Sequence, residues 1–294
     1  MKLSIVVIFF NMRREAARTL YSLSHRYQRG VSVEDYEVIA IDNGSAQPLT
    51  PSEVLEFGGN FRYHFHATGS VSPVGAINLG AEMARGEALA VVVDGARMAS
   101  PGLVWRTLEA WKLAREPFIC ARAWHLGPDV QFHSMQQGYD QAAEDALLEQ
   151  IDWKNDGYRL FDVSTIAPSS RGHFPSECSW FAMARSTFVS MGGFDPRFQS
   201  PGGGFCNHEF RDRAVKWPGM RAILLLGEGL FHQVHGGVAT NACPDEHPGK
   251  AFLREYERLC GRKYMTAPVP DPIFSRWTPI LGRKIDRHTT AISR

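Results

Sequence analysis

The sequence predicts an α/β protein built on a Rossmann-like, mostly parallel sheet flanked by helices, with a C-terminal helical and irregular extension. Three observations carry this. Apolar runs at residues 3–10, 36–42 and 88–93 are continuous rather than alternating, the pattern of strands covered on both faces. Between them apolar residues recur at helical spacing, as Met12, Ala16, Leu20, Leu23 and Tyr27 and again as Val74, Ile77, Ala81 and Ala84. The runs lead into Asn11, Asp42 and Asp94, and in such sheets ligands bind outside the carboxyl ends of the strands.

In chain order, residues 3–10 form a buried strand that stops at Asn11 and runs into an amphipathic helix. The strand at 36–42 closes in Asp42-Asn43-Gly44-Ser45, turn chemistry that leaves a carboxylate at the strand's end. A helix over 73–85, stopped by Gly86, precedes the strand that ends at Asp94. Pro101 and Gly102 open a helix with Val104, Leu108 and Trp111 on one face, and 117–125 form the next strand. From 126 to 172 the periodicity fails around one helix at 141–151, which marks an insertion. Residues 178–184 restore a strand, Ser186 caps a short helix, and Gly192-Gly193-Phe194-Asp195 closes the unit in a turn. Gly202-Gly203-Gly204 leads into a helix through about residue 216, followed by a late strand at 222–226 and a helix at 250–259. The tail 267–294 is Pro-rich with little core-forming content.

Composition narrows the function classes. With 32 Lys and Arg against 31 Asp and Glu, nothing electrostatic favours nucleic acid or an anionic membrane as partner, and a small molecule or saccharide fits better. Cysteines at 120, 178, 206, 243 and 260 are odd in number and lack CxxC spacing, which predicts reduced thiols and a cytoplasmic location. The first apolar run is too short to span a membrane and is followed by Arg13, Arg14 and Glu15, so neither signal peptide nor transmembrane segment is expected.

Several features occur together in order: Ser4 to Asn11, Val38 to Ser45, the helix carrying Gly75, Asn78 and Gly80, Val92-Val93-Asp94, Gly192 to Asp195, and His232 after a late strand. This series resembles the family 2 glycosyltransferases of the GT-A fold over roughly residues 3–240. The resemblance implies a GT-A domain at 1–240, with a nucleotide-sugar-binding half at 1–125, an acceptor-side half at 126–240, and an extension at 241–294. It implies an enzyme moving a sugar from a UDP- or GDP-type donor to a glycan or other acceptor hydroxyl, in polysaccharide or glycoconjugate synthesis. It also implies residence in the cytoplasm, at the inner face of the membrane if the acceptor is lipid-linked, and leaves a homo-oligomer open.

The same resemblance assigns roles. Phe9, Phe10 and Asn11 line the nucleoside pocket, Asp42 accepts hydrogen bonds from base or ribose, and Gly75 and Asn78 let a helix approach the donor. Asp94 is the first acid of a DxD motif that binds a divalent cation, Mn²⁺ or Mg²⁺, bridging the donor phosphates, with His232 and then His235 as further metal contacts. Two departures matter. The second DxD acid is Ala96, so either Asp94, His232 and the diphosphate hold the cation, or Arg97 supplies part of its charge to the donor. The usual base position is Asn207, which leaves Glu209 as the base if the reaction inverts, with Asp212 and His208 as substitutes. An Asn-x-Glu segment also resembles some retaining GT-A enzymes. Glu177 and Trp180 are read as acceptor contacts, a carboxylate for a hydroxyl and an aromatic face for a sugar. Plain structural readings stand beside these: a turn role for Asp42, a core role for Phe9 and Phe10, a helix-dipole role for Glu209. The rival functions are a non-catalytic GT-A module that binds a nucleotide sugar or glycan and a nucleotidyltransferase, the latter lacking a Gly-rich basic loop after the first strand.

Overall fold

A computed structural model describes residues 1–242 and 245–275. Cys243 and the segment 276–294 lie outside the described residues, and the expectations placed on them go no further. The first half runs β1 (Leu3–Phe9), α1 (Arg13–Leu23), β2 (Tyr36–Asp42), α2 (Pro51–Leu55), β3 (Phe61–Phe65), α3 (Val74–Met83), β4 (Ala88–Val92), β5 (Arg97–Ala99), α4 (Leu103–Trp111) and β6 (Glu116–Leu126). The second half runs α5 (Gln131–Gln136), α6 (Gln141–Gln150), β7 (Ser164–Ile166), β8 (Trp180–Ala184), α7 (Arg185–Ser190), α8 (Cys206–Val215), β9 (Met220–His232), α9 (Gly249–Cys260) and β10 (Ile273–Phe274).

The strands form one ten-stranded sheet of order β10-β9-β6-β8-β4-β1-β2-β3, with β5 paired to β9 and β7 to β6. Along that path β8 alone is antiparallel, to both β4 and β6. Every residue of β1, β2 and β4 is buried. Leu3, Ile5, Val7 and Phe9 face one core beneath α1 and α4, whereas Val6 and Ile8 face a second core beneath α3. Continuous apolar sequence is thus the signature of a sheet with a core on each side. Gly80 lets α3 sit directly on Val6, where any Cβ would collide with that side chain.

The insertion is more ordered than its sequence suggests. Glu144 of α6, with its side chain fully buried, lies 3.3 Å from both Arg14 and Arg18 of α1 and accepts the Val234 backbone N–H at 2.7 Å. Burial outweighs these partners and pushes the Glu144 carboxyl up to about 7. α6 is therefore tied both to α1 and to the segment after β9.

Three expectations change, and one strand went unread. Ser186 lies inside α7, whose N-cap is Ala184 with no side-chain cap. The late strand extends over Met220–His232 because Glu228, which interrupts the apolar run, is buried and satisfied by Ser100 Oγ at 2.6 Å and Tyr158 OH at 2.8 Å. β3 is a half-buried edge strand of mixed polarity and gives no apolar run to read. The stretch 267–275 does join the core: β10 pairs in parallel with β9, Ala267 is buried, and Val269 packs against the second core. No helix among the described residues is long and apolar enough to cross a membrane.

Candidate functional site

The carboxyl ends of β1 and β4 open into a cavity of about 430 Å³ whose wall includes Phe10, Asn11, Asn43, Asp94, Glu177 and Asn207. That volume is in the range of pockets that hold small organic ligands. Asn11 takes a left-handed conformation (φ 53°) tolerated best by Asn and Gly. Its backbone N–H donates to Ser45 Oγ at 2.8 Å and its Oδ1 accepts from Ala46 N at 2.9 Å, which fastens the 43–46 turn to the end of β1.

Asp94 is set by the turn after β4. Its Oδ1 accepts from Ala96 N at 3.0 Å, Gly95 N donates to Ile8 O at 2.8 Å, and Thr19 Oγ1 donates to Gly95 O at 2.6 Å. Gly95 is required here because a Cβ would meet the Phe9 ring and the Ile8 carbonyl. The antiparallel ladder between β5 and β9 then aligns Arg97 with His232, bringing both beside Asp94.

His232 Nε2 lies 2.8 Å from Asp94 Oδ2, His235 Nε2 lies 3.6 Å from the same oxygen, and the two Nε2 atoms are 3.1 Å apart. Such separations suit three ligands on one face of a single cation, with metal–ligand bonds of about 2.0–2.2 Å. The tautomer of His232 supports the fit. The backbone oxygen of His235 accepts from Asn241 Nδ2, so Asn241 Oδ1 is the atom that accepts Gln131 Nε2 at 2.6 Å. Gln131 Oε1 consequently faces His232 Nδ1 at 2.6 Å and accepts its hydrogen. Burial and nearby Arg97 push His232 down to about 4, while Asp94 works in the opposite direction. Burial opposes the charged form of His235, yet Asp94 raises it above its ordinary value. Burial likewise opposes ionisation of Asp94, but His235 and His232 hold its carboxyl well below the carboxylate range.

Arg97 Nε is 3.5 Å from Asp94 Oδ2, and its Nε and Nη1 are buried with no hydrogen-bond partner among the described residues. Arg97 also lines the cavity.

Several predicted site residues sit elsewhere. Phe9 and Trp180 are buried in the core beneath α1 and α4, so Trp180 offers no face to a sugar; of the two phenylalanines, only Phe10 reaches the cavity. Ala96 is fully buried. Asp42 is also buried, its two oxygens accepting from Ser45 N at 2.8 Å and Leu49 N at 3.4 Å, which is the turn role. Its neighbour Asn43, which the sequence reading passed over, lines the cavity instead. Asn43 Nδ2 donates to Ser70 O and Ser72 O, while its buried Oδ1 has no partner. The only available signal was strand alternation, which sends successive side chains to opposite sides. Gly75 is exposed, and Asn78 faces the Gly193-Phe194 turn, donating to Phe194 O at 2.8 Å and accepting from Phe194 N at 2.9 Å.

The α8 acids are also committed. Glu209 pairs with Arg213 at 2.9 Å outside the cavity. Asp212 is buried between Arg211 at 2.7 Å and the Ala267 N–H at 2.9 Å. His208 contacts Ser176 O at 3.0 Å and Tyr264 OH at 3.1 Å. Asn207 does face the cavity, with Nδ2 3.4 Å from Glu177 Oε1.

The fold is shared with S. aureus TarS. The structure of TarS 1–349 in complex with UDP matches at 13% identity and a TM-score of 0.52, over 80% of this chain and 61% of that one. The complex of TarS 1–349 with UDP-GlcNAc matches at 12% identity and a TM-score of 0.52, over 87% and 67%. This chain spans 37% of a longer TarS chain, at 14% identity and a TM-score of 0.52. No curated protein sequence matches. The sequence model of glycosyl transferase family 2 matches residues 4–161, more than half of the 294 residues, and the chain therefore belongs to glycosyl transferase family 2.

Proposed function

We propose that the chain transfers a sugar from a nucleoside diphosphate sugar to an acceptor hydroxyl of a glycan or related alcohol. One observation supports the reading: Asp94, Arg97 and His235 line the cavity at the sheet's carboxyl edge, where a diphosphate would find both a cation site and a guanidinium beside it. A cation held by Asp94, His232 and His235 would supply positive charge to the donor phosphates, and two imidazoles beside one carboxylate favour Mn²⁺ over Mg²⁺. Arg97 supplies positive charge to the donor phosphates, and Phe10, Asn11 and Asn43 bound the nucleoside. Because TarS is crystallised with UDP and UDP-GlcNAc, uridine donors are the first to test, with GDP as the comparison.

The second reading, a non-catalytic nucleotide-sugar or glycan-binding module, draws on the commitment of Glu209 and Asp212 to ion pairs. Calorimetric titration with UDP and GDP, with Mn²⁺ and with chelator, tests the donor site in the wild type and in Asp94→Ala. Metal-dependent binding lost in Asp94→Ala is expected; no binding of either nucleotide under any condition sinks the reading.

A further inference from the structure

We propose that Glu177, on the segment that α8 holds in place before β8, is the general base of the transfer. The proposal rests on the glycosyltransferase reading above and goes beyond it in assigning the proton acceptor. An alcohol attacking an anomeric carbon loses its proton to a group that reaches the cavity, and a carboxylate is suited to the task. Among the described residues two acids line the cavity, Asp94 and Glu177. Asp94 is engaged with His232, His235 and Arg97 at the diphosphate end, which leaves Glu177.

The segment carrying Glu177 is held residue by residue. Arg211 Nε donates to Pro175 O at 3.1 Å, His208 Nδ1 contacts Ser176 O at 3.0 Å, and Asn207 Nδ2 lies 3.4 Å from Glu177 Oε1. Successive residues 175, 176 and 177 thus meet successively earlier positions of α8. Arg211 is itself fixed, buried against Asp212 and bonded to the carbonyl of Ala267. On the other side Cys178 is fully buried, its sulfur 3.1 Å from that of Cys120 on β6, and β8 begins two residues later. Glu177 is therefore a half-buried carboxylate on a pinned segment, steered from the helix position Asn207.

The step balances with these groups. The acceptor oxygen forms a bond to the anomeric carbon as its proton passes to a Glu177 oxygen. The bond from that carbon to the diphosphate oxygen breaks, and its electron pair leaves on the nucleoside diphosphate, whose charge Arg97 faces. The proton later returns to water.

The test uses the full chain, UDP-glucose, UDP-GlcNAc and GDP-mannose as donors, and water as acceptor, reading nucleoside diphosphate release beside calorimetric binding of the nucleotide. Glu177→Gln is expected to bind nucleotide as the wild type does while release falls at least about 100-fold. Glu177→Gln combined with Asn207→Asp returns a carboxylate to the same spot from the other element and is expected to recover at least about tenfold, a rescue that a purely structural role for Glu177 does not allow. Release by Glu177→Gln within about threefold of wild type, absence of rescue, or a wild type that binds nucleotide yet releases none would each overturn the base. Failure to bind any nucleotide instead removes the glycosyltransferase reading itself, so the two failures are distinct.

Discussion

Gln131 Oε1 lies 2.6 Å from His232 Nδ1, which joins the aperiodic stretch after β6 to the end of β9 and fixes which nitrogen of the imidazole faces Asp94. A ligand histidine whose second nitrogen is held this way keeps its tautomer and ring orientation. Gln131→Leu leaves that N–H without a partner and frees the ring, and Mn²⁺ affinity measured by calorimetry should fall about 10- to 100-fold. Gln131→Glu keeps an acceptor in place and should retain most of it. Equal affinity in wild type and Gln131→Leu would show that the contact does not orient the ligand.

Arg97 should distinguish phosphate from nucleoside. Because Arg97 lines the cavity beside Asp94, its positive charge would stabilise a diphosphate bound there. Arg97→Ala should weaken UDP binding about 10- to 100-fold and leave uridine binding within about twofold, with Arg97→Lys intermediate because an ammonium lacks the planar fork. Parallel titrations of the two ligands decide it, and an equal loss for both would place Arg97 in support of the fold instead.

The sheet was legible because its central strands are covered on both faces, which writes continuous apolar runs at β1, β2 and β4. The place of Asp94 just past β4 was legible from the end of such a run. The fate of the α8 acids was not, since the partners that occupy them depend on tertiary packing: Asp212 meets Ala267, 55 residues away. Asp42 and Asn43 adjoin in sequence and differ only in which side of the strand end they face, which a turn geometry decides. Gln131 lay in a stretch without periodicity, and only the closing of α5 against His232 gives it a role.

Asn78 separates a structural from a donor role. Its amide both donates to and accepts from Phe194, locking α3 to the turn at Gly193. Asn78→Ala should cost about 1–3 kcal/mol in denaturant unfolding through the unpaired Phe194 groups, with UDP affinity within about twofold of wild type. A large loss of nucleotide affinity with unchanged stability would return Asn78 to the donor site.

Glu144 predicts a pH dependence of stability. Its unfolded carboxyl titrates near 4.5, while burial pushes the folded one up to about 7 against Arg14, Arg18 and the Val234 N–H. The folded chain thus binds this proton more tightly, so the contribution is fully present below about pH 4.5 and is lost as pH rises through about 7. The groups facing it are Arg14 and Arg18 from α1, the Val234 N–H after β9, and Asp145, which shares both arginines on its own helix. Glu144→Gln keeps an acceptor for Val234 and cannot ionise, so the wild type should lose up to about 3 kcal/mol relative to this variant between pH 5 and pH 8. Urea unfolding of both proteins at the two pH values measures the difference. Identical pH slopes would mean that Arg14 and Arg18 fully offset the burial, with the carboxylate ionised throughout.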